Sequence, residues 1–179
     1  MKNVNWEQIQ DKFQRPPAGG YIAKITMVED NEEKEYLRLG WDFFEGPFKG
    51  ANQETYDTHG FWPTAMICSY KEKALPFFKG FKTAVEKSNR NYTFQNDPQS
   101  LLGKLVGVIL GEEEYLKNNK VKTRLYVSEK RSIQSIRDGD YQVPELKRLR
   151  GNNRNEAPPI VASQGADFST LEDDEELPF

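Results

Sequence analysis

A chain of 179 residues with 36% hydrophobic and 30% charged side chains and a mean hydropathy of -0.81 has room for one cored domain and is too polar to be core throughout. No stretch approaches the ~18 consecutive apolar residues of a membrane span, and the first residues, Met1 to Trp6, carry no apolar run of signal-peptide type. The single cysteine, Cys68, excludes an internal disulfide and a thiolate zinc cluster, so a soluble cytoplasmic protein is expected. The net charge of -3 conceals an asymmetry. Glu156, Asp167, Glu172, Asp173, Asp174, Glu175 and Glu176 are followed or separated by no Lys or Arg, so residues 1 to 155 hold all 25 basic side chains and 28 − 7 = 21 acids, a net of +4. A mildly basic body ahead of an acidic tail is compatible with a polyanionic partner.

In chain order, residues 1 to 18 read as a short helix or arm ending at Pro16-Pro17. Gly19-Gly20 opens a first strand, Tyr21 to Val28, and the charged run Glu29 to Lys34 reads as a hairpin connection. The second strand, Glu35 to Phe44, alternates cleanly: Leu37, Leu39, Trp41 and Phe43 fall on one face, and Tyr36, Arg38, Gly40, Asp42 and Phe44 on the other. Gly46 to Gly60 reads as a long polar loop, and a third strand is expected near Ala65 to Tyr70. Lys71 to Lys87 turns helical, with Ala74, Phe78, Phe81 and Val85 near one face and Pro76 in a first turn.

Asn89 to Ser100 is expected as a loop in which Asp97-Pro98 suits a short helical turn. Lys104 to Leu110 is apolar on both faces and reads as a buried strand, extended through Gly111 to Tyr115. Asn118-Asn119 marks a hairpin turn, and Val121 to Ser128 returns. Ser132 to Arg150 is expected as short helical pieces on the surface, and Gly151 to Ala166 as a linker. Three strands, a helix and two strands is the element order of the OB-fold, a five-stranded, partly open barrel with one helix that commonly binds single strands. The expected class is therefore mainly β, with residues 1–150 as the binding domain with terminal extensions, 151–170 as a linker and 171–179 as a disordered tail.

Catalysis finds little support in the inventory. His59 is the one histidine and lies in a polar, Gly-rich stretch, so neither a Ser-His-Asp nor a Cys-His arrangement is evident. Glu112-Glu113-Glu114 follows a strand, but a contiguous triplet points alternate side chains to opposite faces. No phosphate-cradling G-x-x-x-x-G-K-[ST] loop is present, and no cofactor is expected. A small magnesium-dependent nuclease using Asp42 and Glu112 to Glu114 is the enzymatic rival. An acidic inhibitor of a host enzyme is the rival among interaction proteins.

Single-strand binding needs cations that follow phosphates and aromatic faces on which bases stack, each stack worth about 1–3 kcal/mol. The second strand offers Tyr36, Arg38 and Phe44 on its non-core face, and the fifth offers Lys122, Arg124 and Tyr126. Lys24 and Lys104 add cations on the first and fourth strands. Trp62 and Phe61, beside Pro63, suit either a core or a binding role, and Trp62 is counted among the candidates. Trp41, Phe43, Phe78 and Phe81 read as core by periodicity.

The tail, Asp167 to Phe179, reads DFSTLEDDEELPF. Its acids repel one another and cannot build a core, so disorder is expected. It closes, however, on Leu177-Pro178-Phe179. Pro178 lowers the entropy lost on capture, Phe179 offers a ring and a carboxylate to a basic-rimmed pocket, and the preceding acids steer encounter.

An acidic tail ending in Pro-Phe behind such a domain resembles the single-stranded DNA-binding proteins of bacteria and their phages, the match lying at Asp173, Asp174, Glu175, Glu176, Leu177, Pro178 and Phe179. The body is similar to phage and prophage proteins through SYKEKALPFFKGFKTAVEKSN (69–89) and GKLVGVILGEEEY (103–115). The resemblance implies a phage-type replication or recombination protein of the host cytoplasm. It would coat single-stranded DNA and recruit partner enzymes through its tail. Nothing in the residues fixes an oligomeric state.

Overall fold

The computed structural model describes residues 15–149. They form a mainly β body whose elements run β1 (Gly19–Asn31), β2 (Tyr36–Phe43), α1 (Ala51–His59), β3 (Met66–Ser69), α2 (Leu75–Ser88), β4 (Leu105–Lys117), β5 (Lys120–Arg131) and α3 (Ile133–Arg137). The strands make one sheet in the order β3-β2-β1-β4-β5, and every neighbouring pair is antiparallel. The sheet is open. Its two edges approach each other where Lys130 Nζ on β5 donates to the Ile67 carbonyl on β3 at 3.3 Å.

The core follows the pleat. Leu37, Leu39, Trp41 and Phe43 are buried on β2 and meet Ala23 and Ile25 of β1, Val106, Val108 and Leu110 of β4, and Met66 and Cys68 of β3. Trp41 and Phe43 pack edge to face, ring centres 5.0 Å apart. From α2, Phe81, Ala84 and Val85 are buried in this cluster and Phe78 packs against it half-buried. Asn89, just past α2, ties the helix end to β4: its Nδ2 donates to the Val85 and Leu105 carbonyls, and its Oδ1 accepts from Leu105 N–H. β4 is apolar on both faces because both are covered. Ile109, opposite in parity to Val108 and Leu110, is as fully buried as they are. On that outer side α3 sits so close that a side chain at Gly107 would come within 2.5 Å of Ile136 Cγ1.

Two stretches differ from the sequence expectation. Within the expected loop 46–60 lies α1, docked by polar contacts as well as by Ala51 against the core. The Asp42 carboxylate accepts from the Asn52 and Phe43 amides at 3.0 and 2.8 Å, and buried Asn52 donates to the Trp41 carbonyl. Beyond α3, the expected helical pieces are replaced by an irregular strap. β1 pairs with β4 only as far as Gly19 opposite Leu110, which leaves the next stretch of that β4 edge with unmet backbone groups. The strap fills it. Lys147 N–H donates to Glu112 O at 3.0 Å, and Glu114 N–H donates to Lys147 O at 2.8 Å.

The turn side of the sheet carries a titratable latch. Half-buried Tyr70, just past β3, donates its hydroxyl to Asp30 on β1 at 2.8 Å. Loss of solvation first, then that hydrogen bond and the charges of Asp30, Glu32 and Glu35, push the phenol up to about 12. A phenol that holds its proton more tightly when folded stabilises the fold fully below its ordinary value near 10 and ceases to as pH rises towards 12. The stability advantage of the native protein over Tyr70→Phe should therefore shrink between pH 10 and 12, measured by urea midpoints. A pH-independent gap would show that the latch does not titrate as its contacts imply.

Candidate nucleic-acid interface

Past Leu110, β4 and β5 continue beyond β1 as a ribbon that the strap flanks as far as Glu114 and that runs on as two strands to Lys117 opposite Lys120. Asn118 and Asn119 close it with φ of 53° and 57°, both in the left-handed region that a tight two-residue hairpin turn requires and that Asn tolerates. Directly opposed residues share a face. One face therefore carries Gly111 with Tyr126, Glu113 with Arg124, Tyr115 with Lys122, and Lys117 with Lys120. Arg124 pairs with Glu113 through Nε at 2.6 Å, and its guanidinium lies 5.4 Å from the Tyr115 ring centre. Lys147 of the strap stands 4.3 Å over the Tyr126 ring. The other face carries Leu116 and Val121, 60% and 58% exposed, then Glu114 with Thr123 and Glu112 with Leu125. Cations and rings thus alternate along one side of the ribbon, with Glu113 as the single acid among those pairs.

A second group of rings surrounds α1. Trp62 is buried against the outer face of the sheet, so close to Gly40 that a Cβ there would lie 2.5 Å from the indole. Its Nε1–H points to Met27 Sδ at 3.2 Å. Tyr56 stacks on Trp62 with centres 4.6 Å apart and planes 15° from parallel. His59 and Phe61 face each other at 5.9 Å and 29°, and Phe61 is 55% exposed. Phe61 lines a cleft of about 590 Å³ between α1 and β5. Arg15, Thr123, Arg124 and Leu125 are also among its lining residues. Arg15 is held there by bonds to the Thr123 carbonyl and hydroxyl, both 3.0 Å, and by Glu112 at 3.5 Å.

The residues picked out from the sequence separate into groups. Lys122, Arg124 and Tyr126 share the ribbon face, although Tyr126 lies beneath Lys147 and against Pro144 across Gly111. Tyr36 and Arg38 lie on the outer face at the opposite end of the sheet. Arg38 is opposite Glu29, to which its guanidinium bonds at 3.4 Å, and the OH of half-buried Tyr36 accepts from Asn31 Nδ2. From Glu29 back to Gly19 is ten residues of β1, roughly 33 Å along the strand, and the ribbon begins only beyond that. The structure does not bring Tyr36 and Arg38 to the trio of Lys122, Arg124 and Tyr126. Phe44 is exposed at the ribbon end of β2. Lys24 is exposed opposite Asp42, Lys104 stands 4.5 Å over the Tyr92 ring, and Trp62 is buried. The sequence leaves Phe61 open between core and binding and reads His59 as a loop histidine, and it does not single out Arg15, Tyr56, Tyr115, Lys117 or Lys120 as binding residues. The rings crowded into an otherwise polar 56–62, and the two lysines flanking Asn118-Asn119, were the available signals. The tail positions Asp173 to Phe179 lie outside the described residues.

The acids named for a nuclease are engaged separately. Asp42 caps α1, Glu112 meets Arg15, Glu113 meets Arg124, and Glu114 accepts from the Leu149 amide. Among the described residues no group of three or more His, Cys, Asp or Glu side chains is placed to hold a metal ion. Nor is any described helix long and apolar enough to cross a membrane. Compared with known proteins, the chain matches no family model and no curated protein.

Proposed function

We propose that this protein binds single-stranded DNA with little sequence preference, as a non-enzymatic, OB-type barrel. The observation that carries the reading is the β4–β5 ribbon, where Lys117, Lys120, Lys122 and Arg124 share one face with Tyr115 and Tyr126. This is the combination that grips phosphates and stacks bases without reading them. The strand order β3-β2-β1-β4-β5, with α2 between β3 and β4, supports the barrel type, as does the approach of the two edges at Lys130 and Ile67. The acidic segment Asp173 to Phe179 then recruits partner proteins of replication or recombination in a phage-infected host cell, the acids steering and Pro178 and Phe179 docking.

Fluorescence anisotropy with a labelled poly-dT oligonucleotide over a series of salt concentrations tests the reading. Binding should weaken with salt along a log–log line, with a slope of about -0.7 for each phosphate neutralised. Removing residues 171–179 should leave that affinity equal or higher while abolishing capture of partner proteins. Absence of binding at low salt would sink the proposal. Protein-dependent cleavage of the strand in Mg²⁺ would replace it with the nuclease, and loss of affinity on truncation would put the tail in the DNA site.

A further inference from the structure

We infer that the cleft between α1 and β5 is a base-stacking subsite, with Phe61 as the platform for one nucleobase of the bound strand. The inference rests on the single-strand reading above and adds a site that the ribbon does not contain. At about 590 Å³ the cleft is large enough for a nucleotide. Its lining combines an apolar ring with a cation. Phe61 is 55% exposed, so its ring has surface open to a partner in the cleft. His59 backs it at 5.9 Å with its plane turned only 29° away, so one ring is braced while the other presents surface.

The support beneath this platform is packed and hydrogen-bonded. The next residue, Trp62, is buried against the sheet and stacked on Tyr56, and α1 itself is fastened by Asp42 and Asn52. An exposed ring on a fixed base loses little freedom when a flat partner lands on it. Arg124 also lines the cleft. Its side chain engages Glu113 through Nε on the ribbon's cationic face, whereas its neighbours Thr123 and Leu125 line the cleft from the opposite face. A strand whose phosphates follow Lys117, Lys120 and Lys122 has to pass over the free edge of β5 at Arg124 to turn a base in towards Phe61 on the other side. Charge complementarity selects the occupant: the lining sets Arg15 and Arg124 against a single acid, Glu54, beside the rings of Phe61 and His59, and a polyanion with flat, uncharged rings fits it better than an apolar peptide does.

The test compares Phe61→Ala and Phe61→Trp with the native protein on two labelled strands of equal length, one of dT and one abasic. Phe61→Ala should bind dT roughly tenfold or more weakly, since one stack is lost. It should bind the abasic strand as the native protein does, with an unchanged salt slope. Phe61→Trp should restore or exceed native dT affinity. Melting temperatures should match, because the side chain is more than half exposed. In the native protein, photocrosslinking of a 5-iodouracil strand should place an adduct within residues 54–64. If native protein binds neither strand, the single-strand reading itself fails. If it binds dT but Phe61→Ala is indistinguishable from it, or loses equally on both strands, the platform alone is overturned. Adducts confined to Tyr115 and Tyr126 would overturn it as well, as would a change of oligomeric state in place of a change in affinity.

Discussion

Trp41→Ala should be the most destructive single substitution in the body, costing about 3–5 kcal/mol of stability and lowering the melting temperature by roughly 10–20 °C. Trp41 has no exposed surface and is the largest of the fully buried side chains. It sits on β2 between β1 and β3, and packs edge to face with Phe43. Truncation removes the ring's burial and leaves a cavity that α2 and the two neighbouring strands cannot close without moving together. A domain of ordinary stability, about 5–15 kcal/mol in total, then keeps only part of its margin.

Trp41→Phe separates volume from chemistry. The Trp41 indole nitrogen has no hydrogen-bond partner among the described residues. Phenylalanine keeps an edge-to-face ring and discards that unmet donor, which offsets part of the lost volume. The expected order of urea midpoints is native, then Trp41→Phe close behind, then Trp41→Ala far below. Equal losses in the two variants would mean that the nitrogen has a partner after all, and that the site is polar as well as packed.

That strand was also the most legible in the sequence, and for the same reason. Leu37, Leu39, Trp41 and Phe43 alternate because one face of β2 is core and the other is not. Period 2 is thus a direct image of burial. The continuous run Val106 to Leu110 was equally readable as a strand covered twice, and α3 supplies the second cover. α1 was invisible because its docking is largely polar, with Ala51 and the Tyr56 ring adding the apolar contact. Its anchors are Asn52 to the Trp41 carbonyl and Asp42 to the Asn52 amide, contacts that leave no 3.6-residue stripe. The strap was invisible for a non-local reason: where it lies is decided by where β1 stops covering β4. The site suffered most from a third limit. Parity along a strand tells which face a residue takes, but not how far along the sheet it lies. Tyr36 and Arg38 matched Lys122 and Arg124 in kind and face, and the register set them at opposite ends.

Replacing Lys117, Lys120 and Lys122 together by Gln should weaken poly-dT binding about a hundredfold at 0.1 M salt and flatten the salt slope by about 2. Three lost phosphate contacts at about 0.7 each give that slope change, and at 0.1 M each is worth about 0.7 of a logarithmic unit. The three side chains are exposed on the ribbon, so the fold has little stake in them. It has a small stake against them. Lys117 and Lys120 stand directly opposite each other across the turn, a like-charge arrangement that is mildly destabilising in an antiparallel pair. Neutralising the trio should therefore leave the melting temperature unchanged or slightly raised while affinity collapses. Loss of binding through damage to the fold would move the two quantities in the same direction. A binding surface separates them, because its like charges repel one another until a polyanion arrives. Lower thermal stability in the triple variant, or a salt slope equal to the native one, would remove the ribbon from the interface. The contrast with Phe61→Ala is diagnostic: that variant loses affinity with its slope intact, whereas the triple variant loses both. Only a strand held by its phosphates on the ribbon and by a base in the α1–β5 cleft gives the two signatures in one protein.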